Sequence, residues 1–233
     1  MSKPRILVCG EALFDVFVGD AHQTGFAMDA RIGGSAFNVA VGAARLDCDS
    51  ALLTGIANDV LGERLVTTLE AEGVSTAHIA RKDARTTLAL VALDDAGVAQ
   101  YAFYGEGGAD RMVTDLDLPT SDDADACVFG CFSILTQPTG DAFLNLAART
   151  NALVVLDPNV RLTVEGNLRV WRDRVAAFAR HADIIKVSED DLFALYGDDA
   201  DLDALAAGWL ADGVKLVAIT HGGDGATFHS GHG

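Results

Sequence analysis

Short apolar runs of five or six residues alternate with longer amphipathic stretches along almost the whole chain, and this alternation limits the possible folds more than any other feature. The runs at 5–9, 51–56, 127–132, 152–156, 183–187 and 216–220 are rich in Val, Ile, Leu and Phe. A strand that is apolar at nearly every position is one buried on both faces. Between the runs, 36–46, 62–72, 139–150, 168–181, 189–196 and 202–211 carry helical spacing. Gly73 and Gly197 follow two of these stretches, where a helix end takes a positive φ that glycine adopts without strain. Strand, helix and strand in succession predict right-handed crossovers and a mostly parallel central sheet covered by helices, an α/β fold.

One part breaks the alternation. The strand patterns at 86–93 and 98–104 are joined by Asp94-Asp95-Ala96-Gly97 and read as a β-hairpin. Residues 13–18 also read as extended. Together they predict a small sheet, drawn from about 12–32 and 86–104, that projects from the main body as a lid or a dimer surface. With 233 residues, 50% of them hydrophobic, the chain can bury one sizeable core, and no repeat or linker divides it. Residues 225–229 read as a strand and Ser230-Gly231-His232-Gly233 as the turn after it, with no return strand. Natural folds avoid an unpaired edge of that kind, so the chain reads as lacking its C-terminal part.

Charge and composition exclude several functions. Thirty-four acidic against 17 basic residues, a formal charge of −17, argue against nucleic acid or an anionic membrane as partner. An anionic cofactor needs only local donors and stays open. No apolar run reaches the ~20 residues of a membrane span. The first apolar segment is too short for a signal-peptide core, so the expected location is cytoplasmic. Cys9, Cys48, Cys127 and Cys131 lack metal-ligand spacing and read as buried reduced thiols, Cys9, Cys127 and Cys131 lying in strand-like runs. His221, His229 and His232 match no ligand pattern either.

Ligands of open parallel sheets bind beyond the carboxyl ends of the strands, and several polar groups fall there. Asp15 could accept hydrogen bonds from two neighbouring hydroxyls, or be an ordinary turn aspartate. Gly33-Gly34-Ser35-Ala36-Phe37-Asn38 opens a helix: the glycines let backbone approach a ligand and Asn38 offers both donor and acceptor. The alternative is a plain glycine turn with a serine N-cap. Neither a Walker A sequence nor a complete G-x-G-x-x-G is present, which disfavours P-loop and dinucleotide-binding chemistry. Asp157-Pro158-Asn159-Val160-Arg161 is either a turn with a solvated arginine or a strand end where Arg161 meets phosphate charge. Lys186, Ser188 and Asp191 follow the next strand; Asp191 is a helix-dipole partner or a water-mediated holder of Mg²⁺. Thr220-His221-Gly222-Gly223-Asp224-Gly225 could lay backbone against a nucleotide or be a tight turn.

In this order the constellations resemble the ribokinase-like (PfkB) carbohydrate kinases, and most the fructokinases among them. The residues that carry the resemblance are Gly10-Glu11-Ala12-Leu13-Phe14-Asp15, Gly33 to Ala40, Tyr104-Gly105-Glu106 with Ala109-Asp110-Arg111, Leu156 to Arg161, Lys186 to Leu192, and Thr220-x-Gly222-x-x-Gly225. Asp47 and Ala57 depart from it, since the family prefers glycine at both. The resemblance implies a three-layer sandwich with a projecting β lid, and transfer of the γ-phosphate of ATP, with Mg²⁺, to a small sugar, most closely fructose. 2-Keto-3-deoxygluconate, ribose and nucleosides are the alternative acceptors it implies. Asp15, Gly33, Gly34, Asn38, Tyr101, Phe103, Asn159 and Arg161 would then form the sugar and phosphate pocket. Lys186, Ser188, Glu189, Thr220, Gly222 and Gly225 would lie along the nucleotide, and dimerisation through the lid sheet is expected.

The family's catalytic aspartate lies in a Gly-Ala-Gly-Asp segment opening a late helix, and these 233 residues contain no such segment. The expectation is therefore either a piece of a complete kinase or a truncated homologue that binds sugar without transferring phosphate.

Overall fold

The computed structural model describes residues 2–93, 99–120 and 123–231. In chain order the first elements are β1 (Arg5–Cys9), β2 (Leu13–His22), β3 (Gly25–Gly33), α1 (Ser35–Arg45), β4 (Asp49–Ala57), α2 (Val60–Ala71) and β5 (Ile79–Lys82). The hairpin strands β6 (Leu88–Leu93) and β7 (Ala99–Tyr104) come next, then β8 (Ala126–Gly130), α3 (Thr139–Arg149), β9 (Leu153–Asp157) and α4 (Leu168–Ala179). The chain closes with β10 (Ile184–Ser188), α5 (Glu189–Tyr196), α6 (Leu202–Ala211), β11 (Leu216–Thr220) and β12 (Ala226–Ser230).

Eight strands form the main sheet in the order β12-β11-β10-β9-β8-β1-β4-β5. All its pairings are parallel except that of β11 with the edge strand β12. Alternate side chains leave a strand on opposite faces, and here each face finds its own helical layer. Leu7, Cys9, Leu53 and Phe129 join Phe143 of α3, Trp171 and Phe178 of α4 and Leu192 of α5. Their neighbours Val8, Leu52 and Ile56 join Phe37 and Ala40 of α1 and Leu65 and Leu69 of α2. Burying each large side chain contributes roughly 1.5–3 kcal/mol, so the continuous apolar runs are what drive this three-layer packing.

The second sheet has four strands in the order β3-β2-β6-β7. Asp15 of β2 pairs with Arg31 of β3 and Ala89 of β6, and Ala89 with Phe103 of β7. Leu13, Asp15, Phe17, Val91 and Phe103 consequently share one face. The turn expected at Asp94-Asp95-Ala96-Gly97 lies outside the described residues.

Three local expectations need correction. The strand expected over 127–132 stops at Gly130, because Cys131 has φ 52 and begins a short 3-10 turn over Cys131–Ile134. Strand β5, Ile-Ala-Arg-Lys, has no apolar run and was not expected; it pairs parallel with β4 at the sheet edge. Ser35 is the first helical residue of α1 and not its N-cap: Gly34 occupies the cap and makes no side-chain bond. Gly73 and Gly197 have φ 76 and 101, as their positions predict. Asp47, where the resembled family prefers glycine, also has a positive φ of 66, the physical reason for that preference.

Candidate active site

Strand β1 sits between β4, the strand that follows it in the main sheet, and β8, which returns on its other side. Such a reversal opens a crevice at the carboxyl ends of the strands. A cavity of about 800 Å³ lies there, and Asp15, Gly34, Asn38, Phe103, Asn159 and Arg161 all line it. They arrive from four places: the lid strands β2 and β7, the first turn of α1, and the segment after β9. A second cavity, of about 780 Å³, lies at the amino ends of β1 and β4 and holds none of them.

The local conformations explain the residue types. A Cβ on Gly33 would lie 2.1 Å from Asp15 Oδ2, so glycine leaves the carboxylate its space. Gly34 has φ 104, and a Cβ there would meet the Glu11 carbonyl oxygen at 2.7 Å. Asn159 takes φ 40, a left-handed conformation that asparagine tolerates better than most residues. Arg161 Nη1 donates to the Val160 carbonyl at 2.9 Å, which orients the guanidinium at the cavity wall. Burial pushes the Asp15 carboxyl above the ordinary range, and the charge of Arg161 opposes that shift. The side chain of Tyr101 lies outside the described residues.

The residue that sequence reasoning missed is Glu11, which is 1% exposed. Its Oε1 accepts from the Ser35 backbone N–H at 2.7 Å and its Oε2 from the Ser133 hydroxyl at 2.5 Å. A carboxylate at the start of α1 complements the helix dipole and takes over the capping that Gly34 cannot perform. Glu11 thereby fixes the glycine turn against the Cys131–Ile134 turn, both of which line the cavity. The available signal was an acid two residues after a strand that is apolar from Ile6 to Cys9.

The second predicted group gathers along the carboxyl ends of β9, β10 and β11. Lys186 Nζ donates to Asp157 Oδ2 at 3.0 Å. Asp157 Oδ1 is buried with no hydrogen-bond partner assigned among the described residues, and burial raises this carboxyl's pKa while Lys186 and the Asn159 backbone N–H oppose the shift. The Ser188 hydroxyl caps α5 by accepting from the Asp191 N–H at 3.1 Å. Asp191 is 8% exposed and its Oδ1 accepts from Val160 N–H at 2.9 Å, so it braces the Asn159–Arg161 segment from behind. His221 Nδ1 lies 2.7 Å from Glu189 Oε2, and its Nε2 2.9 Å from the Thr227 hydroxyl. Thr220 pairs in register with Ser188. Gly222 and Gly225, with φ 55 and 101, are exposed and have open space where a Cβ would project.

Among the described residues no three His, Cys, Asp or Glu side chains form a ready cation cage. Mg²⁺ does not need one, since it retains water and binds through one or two carboxylates plus phosphate oxygens. The orphaned oxygen of Asp157, beside Asp191 and Lys186, fits that donor set. His229 points elsewhere, 3.6 Å from Asp203, and His232 lies outside the described residues.

A lidded crevice lined by a carboxylate, an amide and a guanidinium, in a sheet whose last parallel strand ends in an open glycine turn, has the layout of a small-molecule kinase. Residues 3–233 match the pfkB family carbohydrate kinase model. A fructokinase of Rhizobium leguminosarum bv. trifolii is 42% identical over 229 residues, which is 95% of this chain and 68% of that protein. The structure of a fructokinase from Xylella fastidiosa with bound ATP superposes with a TM-score of 0.90 at 25% identity, over all of this chain and 76% of that one. Ribokinase from Thermotoga maritima shares the fold, with a TM-score of 0.79 at 21% identity over 98% of this chain and 75% of that one. The chain belongs to the pfkB family of carbohydrate kinases; its fold is ribokinase-like, and within the family it is fructokinase-like.

Proposed function

We propose that the protein transfers the γ-phosphate of ATP to fructose, giving fructose 6-phosphate, and that the cavity beneath the lid is the sugar site. The carrying observation is that Asp15, Asn38 and Arg161, from three separate segments, line one cavity in a chain 42% identical to a fructokinase. In this reading Asp15 accepts hydrogen bonds from two sugar hydroxyls, and Asn38 adds a donor and an acceptor. Gly33 and Gly34 admit the backbone, while Phe103, with Tyr101 two residues before it, supplies the apolar side. Asn159 and Arg161 face the phosphate being transferred, where a fixed guanidinium lowers the barrier by stabilising developing charge.

Lys186, Ser188, Glu189, Thr220, Gly222 and Gly225 hold the nucleotide in this reading. Asp157, with Asp191 acting through water, would hold Mg²⁺. When bound, the ion screens the negative charge of the phosphates. No residue described here is assigned as the base, because the sequence has no Gly-Ala-Gly-Asp segment. Lid closure excludes water and so protects ATP from hydrolysis. Dimerisation through the lid is supported by Phe26 and Met28, each 52% exposed on edge strand β3. A cytoplasmic location is in keeping with ATP as substrate; no helix among the described residues is long and apolar enough to cross a membrane.

The test is ADP release by the intact gene product with fructose, ribose, 2-keto-3-deoxygluconate and nucleosides as acceptors. The highest kcat/KM is expected with fructose, and turnover of none of them overturns the proposal. Sugar-dependent thermal stabilisation without ADP release is the result expected of a sugar-binding homologue that lacks the base.

A further inference from the structure

The segment Gly105–Arg111 belongs to no part of the site just described, yet it surrounds the point where the hairpin β6–β7 joins the main body. Asp110 is 2% exposed, and its Oδ1 accepts from the Thr87 hydroxyl at 2.5 Å. Thr87 is the residue immediately before β6. Its carbonyl accepts from the Phe14 N–H at 3.2 Å, so the same residue also joins the start of β2. The other end of the hairpin is held equally close. A Cβ on Gly105, directly after β7, would meet Thr87 Cγ2 at 2.7 Å, and one on Gly108 would meet Thr87 Oγ1 at 2.3 Å. The Ala109 N–H donates to the Arg85 carbonyl at 2.9 Å. Thr86 is fixed separately, its hydroxyl donating to Asp59 Oδ1 at 2.8 Å and its N–H to Asp59 Oδ2 at 3.1 Å.

From this convergence we infer that Asp110 is a positioning residue for the lid: through Thr87 it sets the angle at which β6 and β7 leave the body, and hence where Phe103 and Val91 stand over the sugar. A buried carboxylate is costly to retain unless its geometry is used. Asp110 Oδ2 and Arg111 Nε have no hydrogen-bond partner among the described residues, so Thr87 supplies the one side-chain hydrogen bond the carboxylate accepts among them. Arg111 stands 5.1 Å over the ring of Phe132, and Phe132 meets Phe103 edge-on at 6.1 Å. The clamp therefore reaches the cavity wall by a second route, through Arg111 and the two rings.

The kinetic half of the test rests on the sugar-kinase reading; the exchange half does not. Thr87→Val keeps the side-chain shape and removes the hydroxyl, whereas Thr87→Ser keeps the donor. In Thr87→Val, amide hydrogen exchange in β6 is expected to quicken about tenfold with β10 unchanged, the effect of losing one buried hydrogen bond locally. The sugar KM should rise by about tenfold with the ATP KM within about twofold, and sugar-independent ATP hydrolysis should increase relative to transfer. Thr87→Ser should restore wild-type exchange and KM. Unchanged β6 exchange in Thr87→Val overturns the inference, as does equal acceleration in β10, which would mark general destabilisation. If no sugar is turned over by the wild type, the kinase reading fails while the exchange comparison still decides the clamp.

Discussion

The two halves of the crevice are built differently. On the side proposed for the sugar, residues from four segments close on one cavity, and buried polar groups hold the walls: Glu11 ties the α1 turn to the Cys131–Ile134 turn, and Asp110 bonds to Thr87 at the base of the lid. On the side proposed for the nucleotide, the residues lie along open strand ends, finishing in an exposed glycine turn with paired but part-exposed side chains. The sugar is a small neutral polyol, distinguished only by where its hydroxyls sit, and rejecting the wrong one requires acceptors fixed in advance. A nucleotide brings charge and a large planar base, so backbone and a few cations suffice. The two sides should therefore respond differently to substitution.

The largest contrast is expected at Asp15. A carboxylate accepting two hydroxyls supplies about 1.5–3 kcal/mol per bond, so Asp15→Ala should lower kcat/KM for the sugar by about a thousandfold. The ATP KM should stay within about threefold, and the thermal shift on adding sugar should vanish. Loss of ATP binding of comparable size would remove the distinction between the two sides. The raised pKa of Asp15 adds a pH signature. Because the ionised form binds, sugar affinity should fall on acidification at a higher pH than for an ordinary aspartate.

A second, smaller contrast concerns stability. Burial pushes Asp110 from 3.8 to about 6; Thr87 and the charge of Arg111 oppose the shift, and Glu11 adds to it. Since the folded-state pKa is raised, the contribution of Asp110 is fully present below about 4 and is lost as pH rises to about 6. That displacement corresponds to about 3 kcal/mol. Asp110→Asn has no ionisation to penalise, so chemical denaturation should find the variant gaining on wild type by about that amount between pH 4 and pH 7. A difference that does not vary with pH would mean that Asp110 stays in one protonation state throughout.

What the sequence reveals follows the same division. Strands β1 and β11 and helices α5 and α6 fall where the apolar pattern puts them, because burial on both faces imprints a run on the chain. Strand β5 leaves no such imprint, since an edge strand of Ile-Ala-Arg-Lys is set by pairing with β4 and not by its own composition. The residues that line the cavity under the lid could be picked out where glycine, asparagine and carboxylates cluster after strands. Glu11 and Asp110 could not be assigned roles, because their partners Ser133 and Thr87 lie 122 and 23 residues away. A buried polar pair is a relation between segments, and a linear pattern records each member separately.

The smallest expected effect probes the open side. His221 Nδ1 lies within hydrogen-bond distance of Glu189 and Nε2 within that of the Thr227 hydroxyl, so one side chain ties Glu189 to β12. Both His221 and Glu189 are part-exposed, with 23% and 34% of their side-chain surface accessible, and water can replace much of what is lost. A bond of this kind is worth about 1 kcal/mol. His221→Ala should accordingly raise the ATP KM by about fivefold, leave the sugar KM unchanged, and leave the denaturation midpoint nearly where it was. An equal rise in the sugar KM would mean that Glu189 and the α5 turn transmit the change through Asp191 to Val160 and Arg161. The two sides would then be coupled through that one buried carboxylate, and the contrast between a braced sugar pocket and an open nucleotide strip would hold for shape but not for energy.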